Sequence, residues 1–485
     1  MRLWIGVHLP YLCLEAYRPT WTPDGAGLVV LERESVLAVS RAARDAGVHP
    51  GMRRAGALTL APHVTLVERD ELREAAVLQA LGMALLRFSP QVTLASEATV
   101  LMDIGASLRL FGGIRALRRH VIDTVKVLAL TGRVALSPTG TGAWLLARRA
   151  QIALSEASLR RKITPLPVAL LPQARPAATW LAGVGCHTLG AVLRLPRAGL
   201  SRRADPGLLL ALDRAVGAVP EGFAWLIPPP TFDARQELPD RTDRADLIAC
   251  YAQALVVQLT GWLAAGFRAI TALTILLEHE RGRDAVAPTE IKVMFAEPAN
   301  ETIRVQRLIK ERIERTELPA PAIVLRLRVD DVRAAEQLSD SLFPEPGGTP
   351  AEHARLIELL AARLGEERLR RPAPIADHRP EVANRWVPYH RPGTIAPAKH
   401  LRRPLWLLDK PIELKTRNHR PFYGSALRLA SAPERIEAGW WSEPFAARDY
   451  FVAQGADHRC YWIYRERGSL SDDTDPRWFL HGLFG

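Results

Sequence analysis

A short apolar run, Leu3 to Val7, predicts a strand, and Leu28 to Leu31 with Ser35 to Ser40 predicts a strand pair turned at Arg33-Glu34. Helical spacing returns over Glu71 to Phe88, where Ala75, Leu78, Leu81 and Leu85 share a stripe. The stretch Val92 to Gly113, VTLASEATVLMDIGASLRLFGG, then reads strand, turn, strand. Ile114 to Leu130 is a basic helix, Arg133 to Leu136 a strand, and Thr141 to Ala153 a helix. This order predicts an α+β domain with its helices on one face of an antiparallel sheet.

Pro165 and Pro167 open a new, helical region, Leu166 to Trp225, and Pro228-Pro229-Pro230 closes it as a stiff linker. From Phe232 the pattern becomes β (to Leu238), α (Ala245 to Ala265), β (Arg268 to Leu277), β (Glu290 to Phe295), α (Glu301 to Arg315), β (Ala322 to Val329). Thr349 to Leu369 is an amphipathic helix, and residues 370–403, dense in Pro, Arg and His, predict an extended connector. Short strands fill residues 404–485, which hold five of the twelve tryptophans and end in an apolar aromatic tail.

Composition narrows the class. A chain of 485 residues is long enough for three or four domains with separate cores. Hydrophobic residues at 48% and charged residues at 24% fit an ordinary globular protein rather than disorder. The net charge is +12, and 57 of the 64 basic residues are Arg, whose planar fork suits phosphate and stacks on bases. A polyanionic partner is therefore expected, although genomic base composition also favours Arg over Lys. The four cysteines lie far apart with no C-x-x-C pair, which argues against structural zinc and disulfides and fits a reducing cytoplasm. The longest apolar region, Ala252 to Leu277, contains Gln258 and Arg268, so no membrane span is expected.

Three segments carry a resemblance. SRAARDAGVHPGM (Ser40 to Met52), the stretch Val92 to Gly113, and GRVALSPTGTGAWLLARRA (Gly132 to Ala150) resemble, in register, the fingers and palm motifs of Y-family lesion-bypass DNA polymerases. The resemblance implies palm and fingers over residues 1–165, with fingers at about 20–72, and a thumb over 166–227. It also implies a little finger over 228–335, of β-α-β-β-α-β order, a clamp-binding peptide over 336–348, a helix and linker over 349–403, and a partner-docking region over 404–485.

The departures from that family matter more than the matches. Nucleotidyl transfer by two metals needs hard oxygen ligands that neutralise charge on the attacking and leaving oxygens. The family's first-strand acid falls within Gly6-Val7-His8, and aligning Asp103 with the motif's later Asp puts Ala98 and Thr99 on the acidic pair. Glu97 is one residue off register, which on a strand turns a side chain to the opposite face. Arg44 matches a triphosphate contact, but Arg41 replaces a Tyr and Trp144 a Lys. Val7, His8, Ala98 and Thr99 thus mark lost positions and Arg44 and Asp103 vestigial ones, a structural acid or helix cap being the favoured reading of Asp103. No catalytic residue, metal or cofactor is expected.

The remaining candidates concern binding. TWLAGVGCHTLG resembles a helix-hairpin-helix, in which Gly183 and Gly185 would bring backbone N–H groups to a phosphate, with Arg194, Arg197, Arg202 and Arg203 nearby. A helical turn with glycine caps is the alternative. Gln337, Leu338, Leu342 and Phe343 resemble the peptide that docks in the bacterial β sliding clamp. Trp478, Phe479, Leu480, Leu483 and Phe484 form either a partner-docking tail or plain core. The full-length resemblance is to catalytically degenerate Y-family homologues in damage-induced (SOS) mutagenesis cassettes. It implies a cytoplasmic, nucleoid-associated adaptor that joins primer-template DNA, the clamp, the RecA-like protein ImuA and an error-prone C-family polymerase. The rival readings are an active translesion polymerase with relocated metal ligands and a DNA-binding regulator without a clamp partner.

Overall fold

The computed structural model describes residues 2–20, 22, 25–280, 286–335, 350–389, 403–439, 446–467 and 477–484. Two compact units divide the chain, Met1–Leu359 and Leu360–Gly485.

The first unit begins with β1 (Trp4–His8), α1 (Leu12–Glu15), β2 (Leu28–Glu32), β3 (Ser35–Val39), α2 (Arg41–Asp45), α3 (Arg54–Leu60), β4 (Thr65–Glu68) and α4 (Glu71–Leu85). It continues through β5 (Val92–Ala95), β6 (Thr99–Asp103), α5 (Ile114–Val127), β7 (Arg133–Ser137) and α6 (Gly140–Ala147). Strands β5-β6-β1-β7 form one antiparallel sheet, and β3-β2-β4 a second in which β2 and β4 run parallel.

Helices cover both faces of the four-stranded sheet, which corrects the expectation of a single covered face. The reason lies in β1 and β6, where apolar residues occupy both alternations. Ile5, Val7, Val100 and Met102 are buried on one face against α4 and α5, and Trp4, Leu101 and Ala135 on the other against α6. A sheet apolar on both sides has to be covered on both sides. Gly6 lets α6 approach, since a Cβ there would sit 2.6 Å from the carbonyl oxygen of Ala143.

Short helices follow: α7 (Glu156–Ile163), α8 (Ala178–Gly183), α9 (Leu189–Leu193), α10 (Arg197–Arg203) and α11 (Pro206–Val216). Leu159, Leu181, Leu189, Leu208 and Leu212 join Trp4, Leu101 and Ala143 in one continuous core. Then come β8 (Asp233–Thr242), α12 (Ala245–Ala265), β9 (Arg268–His279), β10 (Thr289–Ala299), α13 (Thr302–Arg315) and β11 (Ala322–Ala334), with sheet order β10-β9-β11-β8. The β-α-β-β-α-β order is as the periodicity predicts. Helix α12 is long and apolar enough to cross a membrane, but two-thirds of its apolar window is buried against α13, α4 and the sheet.

The crossing of α12 over α4 is unusually close. A Cβ on Gly261 would lie 2.0 Å from the carbonyl oxygen of Met83, and helix backbone cannot yield as a flexible side chain can. Gly261→Ala is therefore expected to destabilise the first unit by about 3 kcal/mol or more. The control Gly199→Ala, with nothing within 4 Å, should stabilise slightly because alanine is the better helix former. Urea unfolding of both variants checks the pair.

Helix α14 (Pro350–Leu364) is followed in the second unit by a hairpin of β12 (Arg370–Pro374) and β13 (Asn384–Pro388). That hairpin replaces the extended connector expected from the proline content, because prolines fit an isolated two-stranded ribbon whose edges need few N–H donors. The rest is β14 (Trp406–Arg417), β15 (Arg420–Tyr423), β16 (Ser425–Ala426), β17 (Arg428–Leu429), β18 (Glu434–Ala438), β19 (Ala446–Gln454), β20 (Cys460–Glu466) and β21 (Trp478–Leu483). These form a sheet of order β16-β15-β14-β21-β20-β19-β17, with β18 also paired to β19.

Candidate functional site

Residues 96–98 connect β5 to β6 across the pair Ala95–Thr99, at the end of β1 that carries His8. Glu97 and Ala98 both adopt left-handed backbone, with φ of 56° and 50°. For side chains with a Cβ this costs roughly 1–2 kcal/mol per residue, so the turn has to be held. Each of its carbonyls is tied: Ser96 accepts from Trp144 Nε1 at 3.0 Å, Glu97 from Thr99 Oγ1 at 2.9 Å, and Ala98 from the Leu9 amide at 2.9 Å. His8 Nδ1 lies 3.2 Å from the Glu97 carbonyl, an acceptor, so that nitrogen carries the proton.

One turn of helix after Trp144, Arg148 fills the space beside Thr99. Its guanidinium lies over the Trp144 ring, 3.2 Å from the centroid, and donates to Thr99 Oγ1 at 3.1 Å, to the Trp144 carbonyl at 2.6 Å and to Glu97 Oε2 at 3.3 Å. Arg175, from the segment beyond Pro167, meets Glu97 Oε1 at 2.6 Å. Burial pulls Arg148 down to about 10, against the opposing pull of Glu97, which still leaves it a cation at neutral pH. Burial, and then the Arg148 charge, push His8 below its ordinary value, so it stays neutral.

These residues do not fit a divalent metal. Val7 points into the α5 side of the sheet, Ala98 has no donor, and Thr99 is bonded to a guanidinium. Glu97 is shared by two arginines, and His8, whose Nδ1 is committed to a carbonyl, offers one imidazole nitrogen where two metal ions need several hard oxygen ligands. Among the described residues, no three His, Cys, Asp or Glu side chains converge as a ligand set. Asp103, at the far end of β6, accepts from the Gly105 amide at 2.9 Å and lies opposite Trp4. That is a turn-capping role. Arg41 and Arg44 are exposed on α2, and Arg41 pairs with Asp45.

The N-terminus of α6, where a phosphate could otherwise sit, is taken by the chain's own carboxylate. Glu221 accepts from the amides of Gly140 and Thr141, both at 2.7 Å. Phe223 and Trp225, from the same connecting segment, pack on Trp4 with centroids 4.7 and 6.0 Å away. What remains between the sheet, α11 and this segment is a cavity of about 150 Å³ lined in part by Ser96, Trp144, Gln173, Arg214 and Phe223. Ligand sites for small molecules usually span 300–1,000 Å³.

The hairpin between α8 and α9 is bare. No atom lies within 4 Å of a Cβ placed on Gly183 or Gly185, and Gly185 has φ of 76°. Arg194, Arg197, Arg202 and Arg203 are exposed beside it, Arg197 already engaging Asp213 and Arg203 lying over Trp180. The open face of the β8–β11 sheet, by contrast, neutralises itself through Arg326–Asp233, Arg235–Glu237 and Arg328–Asp330.

The tail residues Trp478, Phe479, Leu480 and Leu483 belong to β21, between β14 and β20. Trp478 and Leu480 are buried in one cluster, and Phe479 and Phe484 pack in another, against Tyr450, Trp462 and Tyr464. Trp478 and Leu480 are core rather than a free docking tail, because β21 completes the ladders on both of its edges, while Phe479, Leu483 and Phe484 are half-buried. Gln337, Leu338, Leu342 and Phe343 lie outside the described residues, as do Trp440 and Trp441.

Sequence reasoning missed Arg148, Arg175 and Glu221. The helical spacing of Trp144 and Arg148 signals a shared face, but nothing in the sequence links Arg148 to Glu97 or Glu221 to Gly140.

Residues 13–148 match the impB/mucB/samB family, so the class is that of Y-family polymerase-like proteins. Two proteins named ImuB, from Caulobacter vibrioides strains NA1000 / CB15N and ATCC 19089 / CIP 103742 / CB 15, are each 30% identical over 473 residues. The matches cover 90% of this chain and all of each relative. The chain belongs to the ImuB family. Solved structures of a Dbh ternary complex and of DinB from Sulfolobus solfataricus are similar at 16% and 15% identity. Each has a TM-score of 0.37, covering 68% of this chain and 98% of theirs.

Proposed function

We propose that this protein serves translesion DNA synthesis and damage-induced mutagenesis as a non-catalytic adaptor. One observation carries the reading: the Arg148 guanidinium is bonded to Thr99 and Glu97, beside the positions that the family resemblance assigns to metal-binding carboxylates. In this reading residues 1–165 are palm and fingers kept as a scaffold, 166–227 a thumb, 228–335 a little finger, and 404–485 a partner-docking region. The partners are primer-template DNA, the β sliding clamp, ImuA and an error-prone C-family polymerase.

DNA contact is assigned to the α8–α9 hairpin, whose bare glycine backbone and exposed arginines suit a phosphate. The self-paired sheet face of β8–β11 suits it less. Affinity for duplex should fall steeply with salt, since each neutralised phosphate releases counterions. Arg194→Ala with Arg202→Ala should flatten that slope, measured by fluorescence anisotropy.

Clamp binding is assigned to Gln337, Leu338, Leu342 and Phe343. Gln337→Ala/Leu342→Ala/Phe343→Ala is expected to weaken binding to purified clamp by about 100-fold or more, as removal of interface anchors does. Equal affinity would leave a DNA-binding regulator without a clamp partner.

A further inference from the structure

Four arginines of the second unit lie over aromatic rings: Arg403 over Trp462 (4.8 Å), Arg448 over Tyr464 (4.8 Å), Arg477 over Phe479 (5.1 Å) and Arg417 over Phe422 (4.3 Å). The register places all four rings on one face of the sheet. Tyr464 is opposite Phe479, Phe479 is opposite Glu413, and Lys415, two residues on, is opposite Phe422. Trp462 lies two residues before Tyr464 and so shares its side.

The two ends of this row differ. Trp462 and Tyr464 are buried, and their arginines are held by Glu434 and Glu381. Phe479 and Phe422 are only partly covered, and Lys415, Arg417, Arg420 and Arg477 around them are exposed. Glu413 and Glu466 both engage Arg477, which among the described residues leaves Lys415, Arg417 and Arg420 as surplus positive charge. The surplus is concentrated at a tight hairpin tip. Arg417 and Arg420 pair across Asn418 and His419, both left-handed at φ 52° and 60°.

We propose that this open end, built on Lys415, Arg417, Arg420, Phe422, Arg477 and Phe479, is a second nucleic-acid site that takes single strands. Single-strand binding combines a basic track for the backbone with rings on which bases stack, and both are present here. An arginine over a ring can offer its outer face to a base while its N–H groups meet phosphate, and among the described residues Arg417 over Phe422 is not engaged by a carboxylate, whereas Arg477 over Phe479 is. A duplex keeps its bases stacked on one another and leaves such rings unused. The site belongs to the second unit and the α8–α9 hairpin to the first, so each is altered by its own substitutions.

The test uses the full chain and a fluorescein-labelled oligo-dT, with a duplex of equal length in parallel. Arg417→Ala/Arg420→Ala, and separately Phe422→Leu, are expected to weaken oligo-dT binding about tenfold, the value of roughly one stacked base. Duplex affinity should stay at the wild-type level. Unchanged thermal unfolding keeps the comparison free of misfolding. Arg417→Lys/Arg420→Lys should preserve the salt dependence and still bind oligo-dT more weakly than wild type. Wild-type affinity in the alanine or the lysine pair overturns the proposal. So does an equal loss on duplex, or displacement of oligo-dT by a Glu-rich peptide at matched charge, which would make the site one for acidic protein segments.

Discussion

With primer-template, deoxynucleotides and either Mg²⁺ or Mn²⁺, the purified protein is expected to extend no primer. Losing one preorganised group that stabilises developing charge costs roughly 100- to 1,000-fold in rate. The family resemblance assigns the three carboxylate positions to Val7 or His8, Ala98 and Thr99, none of which carries an acid. The environment also opposes metal. A divalent ion about 4 Å from the Arg148 guanidinium would be repelled by roughly 8 kcal/mol at an effective dielectric of 20. Among the described residues only Glu97 is paired with Arg148, and Glu97 is shared with Arg175. Installing Ala98→Asp and Thr99→Glu should therefore still yield no extension, because the new carboxylates would pair with Arg148 first. Water-proton relaxation should correspondingly detect no tight Mn²⁺ site. Template-dependent incorporation by the wild-type chain would falsify the adaptor reading.

The second unit should lose about 3 kcal/mol of stability as pH falls from about 6.5 to about 4, through His481 alone. His481 is buried between Tyr450 and Trp462, with ring centroids 5.8 and 6.0 Å away. Arg448 Nη1 donates to the Tyr450 hydroxyl at 3.1 Å, so the hydroxyl's own proton goes to His481 Nδ1, 2.7 Å away, and that nitrogen must be unprotonated. Burial pushes His481 down to about 4, with Glu381 pulling up and Arg448 pulling down. Below the unfolded value near 6.5, the unfolded chain binds a proton that the folded chain refuses. The stabilisation is thus complete above that value and is lost as pH falls toward the folded one. Hydrogen exchange of β19–β21 at pH 7.5, 5.5 and 4.5 reads this directly. His481→Gln, which still accepts from Tyr450, should flatten the response above pH 4. Asp449, held below its usual range by Arg435, Arg465 and Arg467, acts only at lower pH.

Much of the local structure was legible in the sequence. Helix α12 has the bounds its apolar period predicts, Ala245–Ala265, because 21 residues bounded by a charged start and Gly266 leave little choice. The hairpin β5–β6 and the alternation along β8–β11 were equally plain. Strand β4 was not, since four residues paired in parallel with β2 carry no period long enough to detect. The β12–β13 hairpin was hidden by its prolines. The aromatic ending reads from sequence as a partner-docking tail with plain core as the alternative, and only the two ladders of β21 place Trp478 and Leu480 in the core.

The sequence by itself determined the family, through three motifs in register, and that Ala98 and Thr99, where the resemblance expects acids, bring no carboxylate, since a side chain that lacks one cannot supply it in any fold. What stands in their place was settled only by tertiary structure. Arg148 is 51 residues from Glu97, and Glu221 is 81 from Gly140. Both contacts arise because α6 packs against the sheet at Gly6 and the segment after α11 crosses back over Trp4. Charge pairing at that range depends on which surfaces are buried together, and no local pattern encodes it.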